Sequence, residues 1–201
     1  TSRHAAMVGA YLLEQFAGIP TNVYFASEFR YSPPPVSPNT LTIGVSQSGE
    51  TADTLAALRM EKERRDSIKD PDFYFHQLGI TNRLDSSLAR ELDNVIDIGS
   101  GIEIGVAATK TFLGQMLSFY GLTLLFASHK QKRTTQEILD LSNDLRLVPK
   151  QILDLIKKHD ALSKEMAHLF VETKDVIFLG RGINYPIALE GALKLKEISY
   201  I

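Results

Sequence analysis

Leu41-Thr-Ile-Gly-Val-Ser-Gln-Ser-Gly-Glu-Thr-Ala-Asp-Thr54 decides how the rest of the chain is read. Leu41 to Val45 is a short apolar run with β-branched residues, the signature of a buried strand. Ser46, Ser48, Gly49 and Thr51 crowd hydroxyls and a glycine into the turn that follows, and Ala52, Leu55 and Leu58 then recur with helical spacing. A strand feeding such a turn and a helix N-terminus makes an anion site, because unpaired amides and the positive end of the helix dipole converge there. The stretch has no lysine or arginine, so its donors are neutral and suit one phosphate monoester better than a metal-bound triphosphate. The same residues also read as an ordinary turn whose serines cap the helix.

Outward from that stretch the pattern is alternating. Asn22 to Ala26, Phe73 to Thr81 and Asn94 to Ile98 read as strands, and Ser87 to Glu91 as a short helix. A helix pattern also runs from Ala6 to Ala17 until Gly18-Ile19-Pro20 stops it, and a proline-rich loop fills 32–39. Strands alternating with helices predict an α/β fold, a parallel sheet with helices on both faces. Ligands of such sheets sit beyond the carboxyl ends of the strands, where Ser46 to Thr51 falls. From Thr109 the pattern is helical: Thr109–His129, Thr134–Leu147 ended by Pro149, then Lys150–Lys158 and Asp160–Val171. Asp175 to Leu179 predicts a new strand, Gly180-Arg181-Gly182 a turn, and Tyr185 to Ser199 a helix. This last unit echoes the opening of the chain, a tandem repeat of one nearly whole α/β unit and the start of a second.

Composition narrows the function. The 201 residues are 44% hydrophobic with a formal charge of -2, and basic residues alternate with acidic ones, which argues against a nucleic-acid binder. No cysteine is present, so disulfides, thiolate metal sites and cysteine nucleophiles are excluded, and a cytoplasmic setting is expected. The five histidines lack a His-x3-His spacing, so no metal is expected. Thr111 to Ser128 is the most apolar stretch, but Gly114, Gln115, Ser118 and Gly121 interrupt it, which favours a core or interface helix over a membrane span.

Ser46-Gln-Ser-Gly-Glu-Thr-Ala-Asp-Thr54 resembles the phosphate loop of the sugar isomerase (SIS) family. Four more blocks, Ala26-Ser-Glu-Phe-Arg-Tyr31, Glu103-Ile-Gly-Val-Ala-Ala-Thr-Lys110, Leu179-Gly-Arg-Gly182 and Tyr185 to Ile201, are similar to the glucosamine-6-phosphate synthase branch of that family and run in its order. The resemblance implies a three-layer α/β SIS fold: a nearly complete first subdomain (1–132), a helical connector (133–173) and the first strand and helix of a second subdomain (174–201). It implies binding of fructose 6-phosphate and its conversion, with ammonia from glutamine, to glucosamine 6-phosphate. By the same resemblance Ser46, Gln47, Ser48 and Thr51 would hold the phosphate, Ser2 would reach the sugar phosphate, and Val106 and Ala108 would line the sugar. The family commonly carries serine at the position of Ala108, so one hydroxyl contact is missing. Glu197 would be the base moving a proton between C1 and C2, with Lys194 positioning it. Glu190, Lys194 and Glu197 share one helix face at i, i+4 and i+7, a spacing that also suits a plain ion-pair ladder, and Glu190 is left a structural role.

The resemblance further implies no cofactor, a homodimer, and a glutaminase domain upstream. The family's ring-opening histidine and Schiff-base lysine find no counterpart here, and none of the five histidines takes the first role. The chain is therefore expected to be a fragment that lacks the full catalytic set. Two other readings stand beside it: a phosphosugar-sensing regulatory module, disfavoured by the absence of a basic helix-turn-helix pattern, and a stand-alone phosphosugar isomerase or deaminase.

Overall fold

The computed structural model describes residues 1–200; Ile201, which ends the last family-like block, lies outside the described residues. Strands β1 (Leu41–Val45), β2 (His76–Thr81) and β3 (Val95–Asp97) form a parallel sheet in that order. The register sets Val45 opposite Ile80 and Ile80 opposite Ile96. Because side chains alternate along a strand, this register sorts the sheet into two apolar faces. On one face Ile43, Val45, Leu78, Ile80 and Ile96 pack against Phe119 and Leu122 of α5 (Lys110–His129), with Ala6 of α1 (Ser2–Leu12) beside them. On the other, Leu55 and Leu58 of α3 (Ala52–Asp66) meet Leu88 of α4 (Ser87–Glu91), Leu92 and Val95. Gly44 lies under α3, where a Cβ would come 2.7 Å from Leu58 Cδ1, so a side chain there would have to displace Leu58. These are the three layers expected of alternating strands and helices.

The two crossovers carry the chain from β1 through α3 to β2 and from β2 through α4 to β3, as parallel pairing requires. α1 continues as a widened turn, Leu13–Ala17, and ends at Gly18 in the left-handed region. α2 (Ala26–Tyr31) packs on α3, and α7 (Asn184–Ser199) packs on α1. By length and composition α5 could cross a membrane; its inward side, including Thr111, Gln115, Phe119 and Leu122, is buried in the core.

Three expectations are corrected. Asn22 to Ala26 forms no strand, because no neighbouring strand pairs with it and Ala26 already opens α2; the Arg3 guanidinium lies over Phe25, 4.2 Å from the ring centroid. The first strand of a second subdomain, at Asp175 to Leu179, is likewise absent among the described residues. Ile177 is 83% and Leu179 88% exposed, so the apolar pattern is there without a ladder to satisfy its backbone. The helices expected on either side of Pro149 are one, α6 (Thr135–Leu169). Pro149 is on the exposed side, and the helix runs through it despite the one hydrogen bond that proline removes. α6 starts at a reciprocal cap: Thr134 Oγ1 accepts from the Glu137 amide at 3.2 Å, and the Thr134 amide donates to Glu137 Oε2 at 2.7 Å.

Candidate functional site

β1 delivers the chain to a loop, 46–51, whose internal bonds leave donors facing outward. Ser46 is buried; its Oγ accepts the Gly49 amide at 3.1 Å and lies 2.8 Å from Thr51 Oγ1. Either hydroxyl can donate in that contact, because Ser46 Oγ has two lone pairs and can accept from both Gly49 and Thr51. Ser48 Oγ accepts from the Glu50 amide at 3.2 Å and keeps its own proton to donate. Thr51 is the residue before α3, yet its side chain makes no cap hydrogen bond, so the first-turn amides of α3 remain unclaimed. The Ser48 hydroxyl proton, the Ser46–Thr51 hydroxyl pair and a helix N-terminus thus converge. The two serines accept amides of the turn itself, those of Gly49 and Glu50, and no side chain caps α3, whose N-terminus is left open to an anion.

The loop is held from β2 and α4. The Gln47 carbonyl accepts from Thr81 Oγ1 at 3.3 Å and from the Asn82 amide at 3.0 Å, and the Gly49 carbonyl accepts from the Leu88 amide at 3.0 Å. Gly49 has φ +66°, and a Cβ there would run into Ser86. Two carboxylates flank the loop, and neighbouring elements neutralise each. Glu50 Oε1 accepts the Ser87 amide at 2.7 Å with Arg90 3.8 Å away, and the Ser87 hydrogen bonds hold the Glu50 carboxyl below its ordinary value of 4.5. Asp53 accepts from Arg30 Nη1 at 2.5 Å. The cations therefore sit behind the acids and not in the loop.

A second cluster joins the two ends of the chain. Ser2, the first residue of α1, accepts from Gln115 Nε2 of α5 at 2.9 Å. Beside it Thr1 Oγ1 donates to Glu190 Oε1 at 2.8 Å and accepts from Lys194 Nζ at 3.2 Å. Lys194 reaches Glu197 Oε2 at 2.6 Å and Glu190 Oε1 at 3.3 Å. Burial pushes the Lys194 pKa down, but the Glu197 hydrogen bond and the Glu190 charge more than offset it, and the net direction is up. Burial likewise pushes Glu190 up, while hydrogen bonds from His4 and Thr1, with Lys194 nearby, carry it below its ordinary value. Lys194 is thus a firmly charged ammonium shared by two carboxylates.

The expected site residues therefore fall into two groups. Ser46, Gln47, Ser48 and Thr51 share the loop after β1, and Ser2, Lys194 and Glu197 share the α1–α7 corner. Val106 is 92% exposed and Ala108 half-buried; neither is packed against a residue of the two groups by any hydrogen bond or core contact described. Their segment is nonetheless tied to the loop through Asn82, whose Nδ2 donates to the Gly101 carbonyl at 2.6 Å and whose Oδ1 accepts the Ser100 amide at 3.0 Å. Glu103 closes the segment by accepting the amide and hydroxyl of Thr111, at 3.1 and 2.7 Å. Sequence reasoning missed Asn82 and His4. Asn82 stands among polar residues after a strand and carries no spacing signal, and His4 meets its partner 186 residues away.

A cavity of about 260 Å³ lies elsewhere, between Leu12 and Phe16, the far turns of α5 and the middle of α6. Leu12 is ten residues along from Ser2, roughly 15 Å of helix, and the lining is mainly apolar, so this is not the anion site. Among the described residues no group of three His, Cys, Asp or Glu could hold a metal ion.

Comparison with known proteins gives the family and the fold. The SIS domain family matches residues 1–125. A glutamine–fructose-6-phosphate aminotransferase [isomerizing] of Nostoc sp. (strain PCC 9229) is 57% identical over 202 residues, covering all of this chain and 32% of that protein. Its namesake in Synechocystis sp. (strain ATCC 27184 / PCC 6803 / Kazusa) is 58% identical over 201 residues, again covering all of this chain and 32% of the relative. The chain thus spans about a third of the length of these curated relatives. Among solved structures, the C-terminal domain of glucosamine-fructose-6-phosphate aminotransferase from Francisella tularensis superimposes with a TM-score of 0.91 at 40% identity, covering all of this chain and 54% of that one.

Proposed function

Because the chain belongs to the SIS domain family, we propose that it is the phosphosugar-isomerising part of a glutamine–fructose-6-phosphate aminotransferase. The observation that carries the reading is the loop after β1, where the Ser48 hydroxyl keeps a proton to donate beside the Ser46–Thr51 hydroxyl pair at an uncapped helix N-terminus. Those donors suit the phosphate of fructose 6-phosphate, and Ser2, fixed by Gln115, adds one more hydroxyl. Once ammonia has replaced the C2 carbonyl oxygen, a proton must leave C1 and arrive at C2 to give the amino aldose. Glu197 is the base for that transfer. Its carboxylate takes the C1 proton and returns it to C2, and Lys194, 2.6 Å away, steadies it and the developing oxygen charge. In the full-length protein an upstream glutaminase domain supplies the ammonia, and two copies assemble in the cytoplasm.

The test is the full-length protein given fructose 6-phosphate and glutamine. Glucosamine 6-phosphate is the expected product. Glu197→Gln loses sugar isomerisation while fructose 6-phosphate still binds; a Glu197→Gln protein that turns over at the wild-type rate removes Glu197 from this role.

A further inference from the structure

We infer that His4 is a positioning residue for the sugar chemistry: through Glu190 it keeps Lys194 on Glu197. The inference rests on the function proposed above. Glu190 is only 5% exposed, and a carboxylate so buried needs every lone pair met. His4 Nδ1 lies 2.6 Å from Oε2, while Oε1 is met by Thr1 Oγ1 at 2.8 Å and by Lys194 Nζ at 3.3 Å. A carboxylate only accepts, so the proton of the short contact sits on His4 Nδ1, whichever state the other ring nitrogen is in.

Lys194 is the one ammonium between two carboxylates on its own helix, and it lies closer to Glu197 than to Glu190, 2.6 against 3.3 Å. That asymmetry requires Glu190 to be satisfied from elsewhere. His4 supplies the donor from α1, the element that also carries Ser2. Without it the buried Glu190 is the stronger claimant on Lys194, because an uncompensated charge costs more in the interior than at the half-exposed Glu197. Glu197 would then lose the ammonium contact that steadies its carboxylate for the proton transfer. The charged and titratable groups meeting here are His4 of α1 on one side, and Glu190, Lys194 and Glu197 of α7 on the other.

The test compares His4→Asn and His4→Gln in the full-length protein. The asparagine amide nitrogen falls near the place of Nδ1, whereas the glutamine amide reaches the place of Nε2. His4→Asn is expected to keep kcat within about threefold of wild type, and His4→Gln to lose about tenfold, the worth of one hydrogen bond to a charged group. KM for fructose 6-phosphate stays within about twofold in both, since the phosphate loop is untouched, so the loss falls on kcat. A loss of folding alone would not be rescued by the placement of one amide nitrogen. Equal kcat for the two variants, with wild-type turnover intact, overturns this proposal alone. A wild-type protein that makes no glucosamine 6-phosphate overturns the proposed function and this role with it.

Discussion

Gly49→Ala probes the loop at the point where its shape is most constrained. Gly49 has φ +66°, a conformation that costs a residue with a Cβ about 1–2 kcal/mol. The new methyl would also clash with Ser86 Oγ, come 2.5 Å from Ser86 Cβ and 2.9 Å from Thr81 Oγ1. Ser86 is buried, caps α4 by accepting the Ala89 amide at 3.4 Å, and donates to the Arg83 carbonyl at 2.6 Å. Displacing it forfeits that cap, about 1 kcal/mol. The sum is a destabilisation of about 2–3 kcal/mol. Urea unfolding followed by circular dichroism measures it, with Gly121→Ala as the control. Gly121 lies inside α5 with open space around it, so alanine there should stabilise by up to about 1 kcal/mol. A Gly49→Ala protein within about 0.5 kcal/mol of wild type would refute the account of the loop.

Other perturbations test other parts of the structure. Glu61→Ala strands Arg65, which is 3% exposed, donates to Glu61 at 2.8 Å and anchors the proline-rich loop at the Ser37 carbonyl; unfolding free energy should fall by about 3 kcal/mol in denaturant titration. Thr134→Ala removes half of the reciprocal cap on α6 and should cost about 1 kcal/mol, with faster amide exchange confined to that helix end. Glu190 is ionised more readily folded than unfolded, so it contributes stability above its unfolded value near 4.5 and loses it as pH falls through the lower folded value. Unfolding curves of wild type and Glu190→Gln should therefore differ at neutral pH and converge in acid; a gap that widens on acidification would contradict this.

How much of this was legible in the sequence depended on how local its cause is. The strand–turn–helix from Leu41 to Asp66 was readable because its signals, a β-branched run, clustered hydroxyls and helical spacing, lie within a few residues of one another. Glu190, Lys194 and Glu197 were readable as one face for the same reason. Asn22 to Ala26 and Asp175 to Leu179 carry strand composition, but a strand exists only with a partner, and composition does not name one. Pro149 read as a stop because proline removes one helix hydrogen bond, a local cost that the rest of a 35-residue helix outweighs. His4 was passed over because its partner is Glu190, and only the packing of α7 on α1 brings them together.

The central claim is that the loop after β1 holds a phosphate. Titrating the full-length protein with fructose 6-phosphate while following the phosphorus NMR shift, with unphosphorylated fructose as competitor, tests it directly. The account expects a saturable shift that fructose does not displace and that Ser48→Ala with Thr51→Ala abolishes, while the fold is kept. A saturable shift that survives the double substitution, or no shift in the folded wild type, would contradict it.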